Sequence, residues 1–164
     1  QECGVQVRPG EKGVELVRDL SRRLHGGQHL YANGWPAFAT DTAPLAAAVL
    51  LTADAPSEIY DHLFANRFAC AAGFAAMGAD CRAEGRRLFI AGRADLQGAE
   101  VQAPDLRGGA ALLVAALAAR GTSVVYDPGH IRRGYADLPG ELAALGAQCA
   151  VSRQTVPGWE RSTG

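Results

Sequence analysis

Short apolar runs alternate with turn residues along the chain, and the spacing of the apolar positions changes from run to run. Apolar residues at every second position predict a strand, whereas apolar residues three and four positions apart predict a helix. We predict strands at residues 4–8, 14–18, 28–33, 57–63, 79–83, 87–91, 99–103, 122–126 and 146–151. Helices are predicted at residues 42–53, 66–77 and 104–119, and another follows residues 133–135 and ends at residue 145. This mixture predicts an α/β fold.

The segment from Trp35 to Asp41 leads into the first of these helices. Pro36 disfavours helical geometry at the residue before it, so the chain reaches Thr40 and Asp41 from a loop. An oxygen-bearing side chain at such a junction often caps the helix by accepting hydrogen bonds from its first N–H groups. Asp105 stands at a similar junction, so a capping role remains open for both aspartates.

Three pairs of landmarks recur at nearly the same spacing. Asp41 and Asp105 are 64 residues apart (105 − 41), Arg67 and Arg133 are 66 apart (133 − 67), and Gly78 and Gly146 are 68 apart (146 − 78). This recurrence predicts repeated units with a period longer than that of solenoid repeats. We therefore predict a partial domain over residues 1–151, containing the tail of one unit, one whole unit and most of another. A polar tail is predicted at residues 152–164.

The amino-terminal strands form a predicted hairpin whose turn lies at residues 9–13. A hairpin alone is only marginally stable, so we expect elements that precede it in the chain to cover it.

Charge and composition exclude several functional classes. The 16 basic residues are nearly balanced by 17 acidic ones, which predicts no binding to nucleic acid or to an anionic membrane. No apolar run reaches the roughly 18 residues of a spanning helix, and we predict no signal peptide. The four cysteines have no metal-ligand spacing among themselves or with the four histidines. We interpret them as small hydrophobic residues in a reducing cytoplasm rather than as disulfides.

Five short motifs together resemble a known family. They are FATD at 38–41, FANRF at 64–68, MGAD at 77–80, DLRGGA at 105–110 and RGY at 133–135. In this order and at this spacing they resemble the UDP-N-acetylglucosamine 1-carboxyvinyltransferases, the enolpyruvyl transferases that begin the synthesis of peptidoglycan precursors. The resemblance covers residues 1 to about 150 and matches only the carboxy-terminal part of the family.

The resemblance implies a fold and a reaction. The fold is an inverse α/β prism of repeated units, here incomplete, with roughly two and a half of six units. The reaction transfers the enolpyruvyl group of phosphoenolpyruvate to a hydroxyl of a nucleotide sugar such as UDP-N-acetylglucosamine, and releases phosphate. No cofactor or metal is implied. A second chain or a missing segment would supply the other domain, and the location would be the cytoplasm.

Two residues are implied at the acceptor side of the site. The family's aspartate at the position of Asp41 contacts the sugar nucleotide and is the candidate base for the acceptor hydroxyl. A carboxylate suits this role because it can hydrogen-bond the hydroxyl directly and be tuned by nearby charge. The family residue that matches Leu63 lies at the sugar-nucleotide site, through its backbone.

The resemblance also implies a set of anion-binding arginines. Arg67, Arg107 and Arg133 match arginines that face the cleft, with Arg133 near the phosphate and carboxylate of phosphoenolpyruvate, and Asp105 matches an aspartate paired with them. A guanidinium group stays charged and binds such oxygens in bidentate fashion. Arg67 and Arg107 begin predicted helices, where a cation opposes the helix dipole, so helix stability does not explain them. For Arg133, a solvated charge pair with Arg132 remains an alternative.

Departures from the family pattern keep other functions open. Ala39 stands where the family usually has proline, and the apolar residues 42–45 stand where it has a polar run. No cysteine of this chain matches the family's reactive cysteine. The family's phosphate-binding lysine and asparagine and its nucleotide-binding arginines also lie outside the matched part. The alternatives are an enolpyruvyl transferase of specialised metabolism acting on another nucleotide, and a non-catalytic module that binds a nucleotide or phosphoenolpyruvate. We disfavour a shikimate-pathway enzyme, because the motifs at 66–68 and 133–135 resemble the sugar-nucleotide branch.

Overall fold

A computed structural model describes residues 3–152, beginning with an exposed hairpin. Strands β1 (Gln6–Gly10) and β2 (Gly13–Val17) pair antiparallel, with Gln6 opposite Val17. Nearly every side chain of the hairpin is exposed, including the apolar Val14 and Leu16. The two predicted strands are confirmed, each displaced by one or two residues.

A five-stranded sheet forms the centre of the molecule. Its strands are β3 (His29–Asn33), β4 (Phe38–Ala39), β5 (Ser57–Asp61), β6 (Cys81–Glu84) and β7 (Arg87–Ile90). Their spatial order is β4-β3-β5-β7-β6; β3 is parallel to β4 and β5, while β7 is antiparallel to β5 and β6. The parallel neighbours β3 and β5 need a crossover, and helix α1 (Ala43–Leu50), which follows β4 in the chain, supplies it.

Helix α1 begins after a single 3₁₀ turn at Thr40–Thr42. Pro44 is tolerated because it lies in the first turn, where its missing N–H would have no partner within the helix. The helix ends earlier than the predicted residue 53. At its end the chain tightens, with the Ala53 N–H bonded to the Leu50 carbonyl three residues back at 3.1 Å.

A second parallel crossover packs on the first. Strand β8 (Glu100–Gln102), helix α3 (Leu106–Ala118) and strand β9 (Val124–Tyr126) follow one another, and β8 pairs parallel with β9. Helix α3 lies against α1 and against α2 (Ala71–Ala76), and these helices and the inner face of the central sheet enclose the core. Helices α2 and α3 can approach closely because Gly73 has no side chain. A Cβ at this position would lie 2.5 Å from a methyl carbon of Leu112.

The start of α2 and the segment around residues 133–135 differ from the prediction. Helix α2 begins at Ala71 instead of residue 66, because residues 65–70 form turns; the carboxylate of Asp61 binds the N–H groups of Leu63 and Phe64 just before them. The predicted helix that follows residues 133–135 is α5 (Leu138–Ala144), and an additional helix that was not predicted, α4 (His130–Gly134), precedes it. Asp137 caps α5, and Pro139 in its first turn stops α4 from continuing into it.

The predicted strand at residues 146–151 is wrong. Residues 147–152 form no strand, and none of the strands among residues 3–152 pairs with them. Of the predicted polar tail at 152–164, all but the first residue lies outside the described residues. No helix of the described part is long and apolar enough to cross a membrane.

Candidate functional site

Asp41 lies in the 3₁₀ turn before α1 and does not cap that helix. The N-cap of α1 is Thr42, whose hydroxyl donates to the Ala39 carbonyl at 2.6 Å, and no side chain caps either the turn or α1. A capping role for Asp41 is therefore wrong. Its side chain is 52% exposed, and its two carboxylate oxygens face two arginines. Arg107 donates through Nη2 to Oδ2 at 2.7 Å, and Nη2 of Arg67 lies 3.5 Å from Oδ1.

These arginines keep Asp41 ionised. The hydrogen bond from Arg107 holds the pKa of Asp41 below its ordinary value; partial burial opposes this effect, and the charges of Arg107 and Arg67 reinforce it. The same hydrogen bond raises the pKa of Arg107, and the neighbouring Tyr135 contributes in the same direction. The result is a partly exposed carboxylate that is an anion at neutral pH and has a cation on either side.

Behind Arg67 lies a carboxylate that the sequence analysis missed, that of Asp61 at the end of β5. Asp61 is 0% exposed. It accepts hydrogen bonds from the Thr40 hydroxyl and from the backbone N–H groups of Leu63 at 2.8 Å and Phe64 at 2.7 Å. Its Oδ2 also lies 3.5 Å from Nε of Arg67, which in turn donates to the Thr40 oxygen at 3.1 Å.

These contacts decide the charge of Asp61. Burial by itself would raise the pKa of Asp61, but the hydrogen bonds from Thr40, Phe64 and Leu63 and the charge of Arg67 outweigh it and lower the pKa. A signal for this residue was present in the sequence. Positions 57, 59 and 61 of β5 alternate onto the buried face, so a carboxylate at position 61 had to have partners inside the protein.

Leu63 lies in the loop after β5 with a half-exposed side chain. Its N–H is committed to Asp61, and within residues 3–152 no group hydrogen-bonds its carbonyl. The carbonyl is thus the backbone group that remains for a ligand. Next to it the guanidinium of Arg67 lies over the Phe64 ring, 4.2 Å from the ring centre, which fixes one face of that guanidinium.

Asp105 and Arg107 lie together at the start of α3 but have different roles. Asp105 caps the helix, because its Oδ1 accepts from the Gly108 N–H at 2.7 Å. The implied pairing of Asp105 with an arginine is not formed among residues 3–152. Arg107 turns away from the helix and reaches Asp41, so the second crossover contributes a side chain to the first.

Arg133 is the predicted site residue that the structure does not bring to this cluster. It lies in the last turn of α4 and is exposed, and no ion pair with it forms within the described part of the chain. Helix α4 packs on the start of α3, where a Cβ on Gly109 would lie 2.7 Å from a side-chain carbon of Ile131. Arg133 is therefore on an element next to the one that carries Arg107, and its role in binding stays a prediction.

Neither the buried thiol of Cys70 nor the partly buried thiol of Cys81 is suited to nucleophilic chemistry. Burial raises the pKa of Cys70 to about 12 and that of Cys81 to about 11, so both are protonated at neutral pH. No group of three or more potential metal ligands occurs in the part of the chain that the structure describes.

Comparison with known proteins identifies the family. The family model described as EPSP synthase (3-phosphoshikimate 1-carboxyvinyltransferase) matches residues 1–142. The chain belongs to the EPSP synthase family. Among curated relatives, it is 38% identical over 154 residues to "UDP-N-acetylglucosamine 1-carboxyvinyltransferase 3" of Symbiobacterium thermophilum, covering 94% of this chain and 36% of that protein. It is 46% identical over 147 residues to "UDP-N-acetylglucosamine 1-carboxyvinyltransferase 1" of Staphylococcus epidermidis, covering 90% of this chain and 34% of that protein.

A solved enolpyruvyl transferase has the same fold over this region. The structure of NikO from Streptomyces tendae matches with a TM-score of 0.78 and 30% identity, covering 89% of this chain and 33% of that one. The predicted fold class, an incomplete enolpyruvyl transferase-like inverse α/β prism, is confirmed, and so is the resemblance from which it came. The chain spans about a third of the length of these EPSP synthase-family relatives.

Proposed function

We propose that this chain is the part of an enolpyruvyl transferase that carries the acceptor-side base and several anion-binding arginines. In the proposed reaction a hydroxyl of a nucleotide sugar such as UDP-N-acetylglucosamine forms a bond to the enol carbon of phosphoenolpyruvate. The bond from that carbon to the phosphate oxygen breaks, phosphate leaves, and the hydroxyl proton passes to Asp41. The activity is a carboxyvinyl transfer of the kind used in peptidoglycan precursor synthesis, in the cytoplasm.

The observation that carries the proposal is the position of Asp41 between Arg67 and Arg107. Its carboxylate is ionised and half exposed, and it has no structural task in a helix cap. A general base must be unprotonated and reachable by its substrate, and Asp41 meets both conditions. The arginines suit the phosphate and carboxylate of phosphoenolpyruvate.

The remaining predicted residues are given subordinate roles. The Leu63 carbonyl would contact the sugar nucleotide, and Arg133 would bind phosphoenolpyruvate from α4. Asp105 would act on the site through the start of α3, which it caps beside Arg107.

Turnover further requires groups that this chain does not hold. A complementary part, on the same polypeptide or on a second chain, would supply the reactive cysteine that none of the four cysteines here matches. Two features support such a part: the relatives are about three times as long, and the β1–β2 hairpin exposes Val14 and Leu16. An exposed apolar strand edge is a surface that another element normally covers.

A second candidate is an enolpyruvyl transferase that uses a different acceptor. The residues after Asp41 favour it, because Ala43 and Pro44 are buried in the core and cannot contact a substrate. The likeness to NikO, itself an enolpyruvyl transferase, is compatible with either acceptor.

The test begins with native mass spectrometry of the protein purified from its source, which identifies any bound complementary part. The species found is then assayed for phosphate release from phosphoenolpyruvate with UDP-N-acetylglucosamine and with other nucleotides as acceptors. We expect release that Asp41→Ala abolishes. Release only with another acceptor favours the second candidate, and binding of phosphoenolpyruvate without release from a complete species contradicts both and indicates a binding module.

A further inference from the structure

Asp61 is a buried carboxylate to which the proposed reaction gives no task. Placing an ionised carboxylate in the core costs several kcal/mol unless hydrogen bonds and an opposite charge offset the lost hydration, roughly as for a buried ion pair. Asp61 is nevertheless ionised, and all the partners of its carboxylate belong to two loops beside Asp41. What it holds in place therefore indicates its role.

The first loop is the junction between β4 and α1. The Thr40 hydroxyl donates to Asp61, and this bond orients the Thr40 oxygen so that the oxygen can accept from Nε of Arg67. Thr40 immediately precedes Asp41, so the contact to Asp61 also fixes the backbone from which the Asp41 side chain extends.

The second loop follows β5. The N–H groups of Leu63 and Phe64 both donate to Oδ1 of Asp61, while Oδ2 lies near Nε of Arg67. The Arg67 guanidinium is thus held at Nε by Thr40 and Asp61 and on one face by the Phe64 ring. A planar guanidinium restrained at Nε has its remaining nitrogens in fixed directions, and Nη2 is the one that faces Asp41.

We propose that Asp61 is a positioning residue for the base, holding Thr40, Arg67 and the Leu63 loop from inside the core so that Arg67 faces Asp41. The inference rests on the proposed function only in naming Asp41 as the base; the positioning itself is a property of this chain.

The chain contains an internal counterpart to Asp61. Asp127 directly follows β9, and Asp61 is the last residue of β5, 66 residues earlier (127 − 61). The carboxylate of Asp127 also accepts hydrogen bonds from backbone N–H groups that follow it, those of Gly129 at 3.0 Å, Ile131 at 3.1 Å and Arg132 at 3.3 Å. Within residues 3–152, however, Asp127 pairs with no arginine side chain. Asp127 therefore shares the turn-forming task of Asp61 without the contact to Arg67.

Removal of the charge of Asp61 gives opposite predictions for the two roles. The charged or titratable groups around Asp41 are Arg67 and Arg107, with Asp61 behind the former and Tyr135 beside the latter. If Asp61 acts only as a nearby negative charge, its loss lowers the pKa of Asp41. If Asp61 positions Arg67, its loss frees Arg67 and the pKa of Asp41 rises.

The experiment follows the side-chain carboxyl carbon of Asp41 by NMR during a pH titration of the full chain. Asp61→Asn retains an oxygen for the two N–H groups but removes the charge that attracts Arg67. We expect it to raise the pKa of Asp41 and to speed solvent exchange of the Arg67 Nε–H. Asp127→Asn is the matched control and leaves both unchanged. A pKa of Asp41 that falls or does not move in folded Asp61→Asn overturns the proposal.

If Asp61→Asn does not fold, substitutions of Thr40 provide the same test from the other side. Thr40→Val removes the hydroxyl that links Asp61 to Arg67, whereas Thr40→Ser keeps it. We expect Thr40→Val alone to raise the pKa of Asp41, and equal values in the two variants overturn the proposal. Since no substrate is present in the titration, this result is independent of whether the chain takes part in enolpyruvyl transfer.

Discussion

The two crossovers of this chain have acidic residues at matching positions but use them differently. Each crossover has an aspartate before its helix, Asp41 or Asp105, and another at the end of its second strand, Asp61 or Asp127. In the second crossover both carboxylates accept backbone N–H groups, at the start of α3 and in the turn before α4. In the first crossover, one carboxylate is half exposed between two arginines and the other is buried against Arg67.

The difference arises from where the helix begins. Asp105 has extended backbone geometry directly before α3, so its side chain can reach the Gly108 N–H. In the first crossover a 3₁₀ turn comes between, α1 starts at residue 43, and Asp41 is one residue too early to be its cap. An aspartate at the matching position is thus structural in one unit and available for chemistry in the other.

The strongest test of this contrast is the loss of the Asp41 carboxylate. In the species that carries the complete site, Asp41→Ala is expected to lower turnover by roughly 100- to 10,000-fold, because the acceptor hydroxyl loses its base. Phosphate release measures the effect. Asp137→Ala, which removes only the cap of α5, is the matched control and should retain turnover. Equal turnover in Asp41→Ala and in that control would remove Asp41 from the mechanism.

The two strand-end aspartates should differ in their contribution to stability. Asp61→Ala is expected to lower the free energy of unfolding by about 3–5 kcal/mol, because it removes the buried partner of the largely buried Arg67 and leaves it only the half-exposed Asp41. Asp127→Ala removes hydrogen bonds but no ion pair, and we expect a loss of about 1–3 kcal/mol. Urea denaturation measures both, and similar losses would show that the ion pair with Arg67 adds nothing.

The two helix-start aspartates should show a smaller contrast in stability. Asp105→Ala is expected to cost about 1 kcal/mol through the lost cap of α3. Asp41→Ala should change the free energy of unfolding by less than about 0.5 kcal/mol, because its side chain is half exposed and caps nothing. Thermal unfolding of the two variants checks the order, and a reversed order contradicts the assignment of the cap.

Removal of Arg107, the arginine that α3 contributes, should make Asp41 more like an ordinary exposed aspartate. The folded pKa of Asp41 is depressed, so its contribution to stability is present above about pH 4 and is lost as the pH falls through the folded value. Arg107→Ala should raise this pKa towards the ordinary value and move the loss to higher pH. Carboxyl NMR measures the shift, with Arg132→Ala on the exposed face of α4 as control. A pKa that is the same in both variants would mean that Arg107 does not act on Asp41 in solution.

Sequence reasoning predicted much of the fold because apolar periodicity is a local property. It identified α1, α3, the two hairpins and most strands, but it began α2 at residue 66, where the chain forms turns that periodicity does not reveal. It also predicted a strand at residues 146–151 from the repeated order of elements, although a strand forms only by pairing with another strand, which the local pattern does not determine.

The residues of the candidate site could be predicted only in part. Asp41, Arg67 and Arg107 came from the family resemblance, and the structure places them together. Asp61 was overlooked although its position on the buried face of β5 was readable from the alternation of that strand. Whether Asp105 caps its helix or pairs with an arginine could not be decided from the sequence, because capping depends on a backbone angle that the residue type does not determine.

The Arg107 side chain extends from the second crossover to Asp41 in the first, so the site is intact only while the two crossovers are in contact. The base belongs to the first crossover and its closest counter-charge to the second, so neither unit by itself holds the ion pair. Any event that separates α1 from α3, such as partial unfolding, proteolysis between the units or incomplete synthesis, removes Arg107 and leaves the carboxylate with Arg67 as its remaining counter-charge. The electrostatic state of Asp41 therefore reports whether the two units are docked.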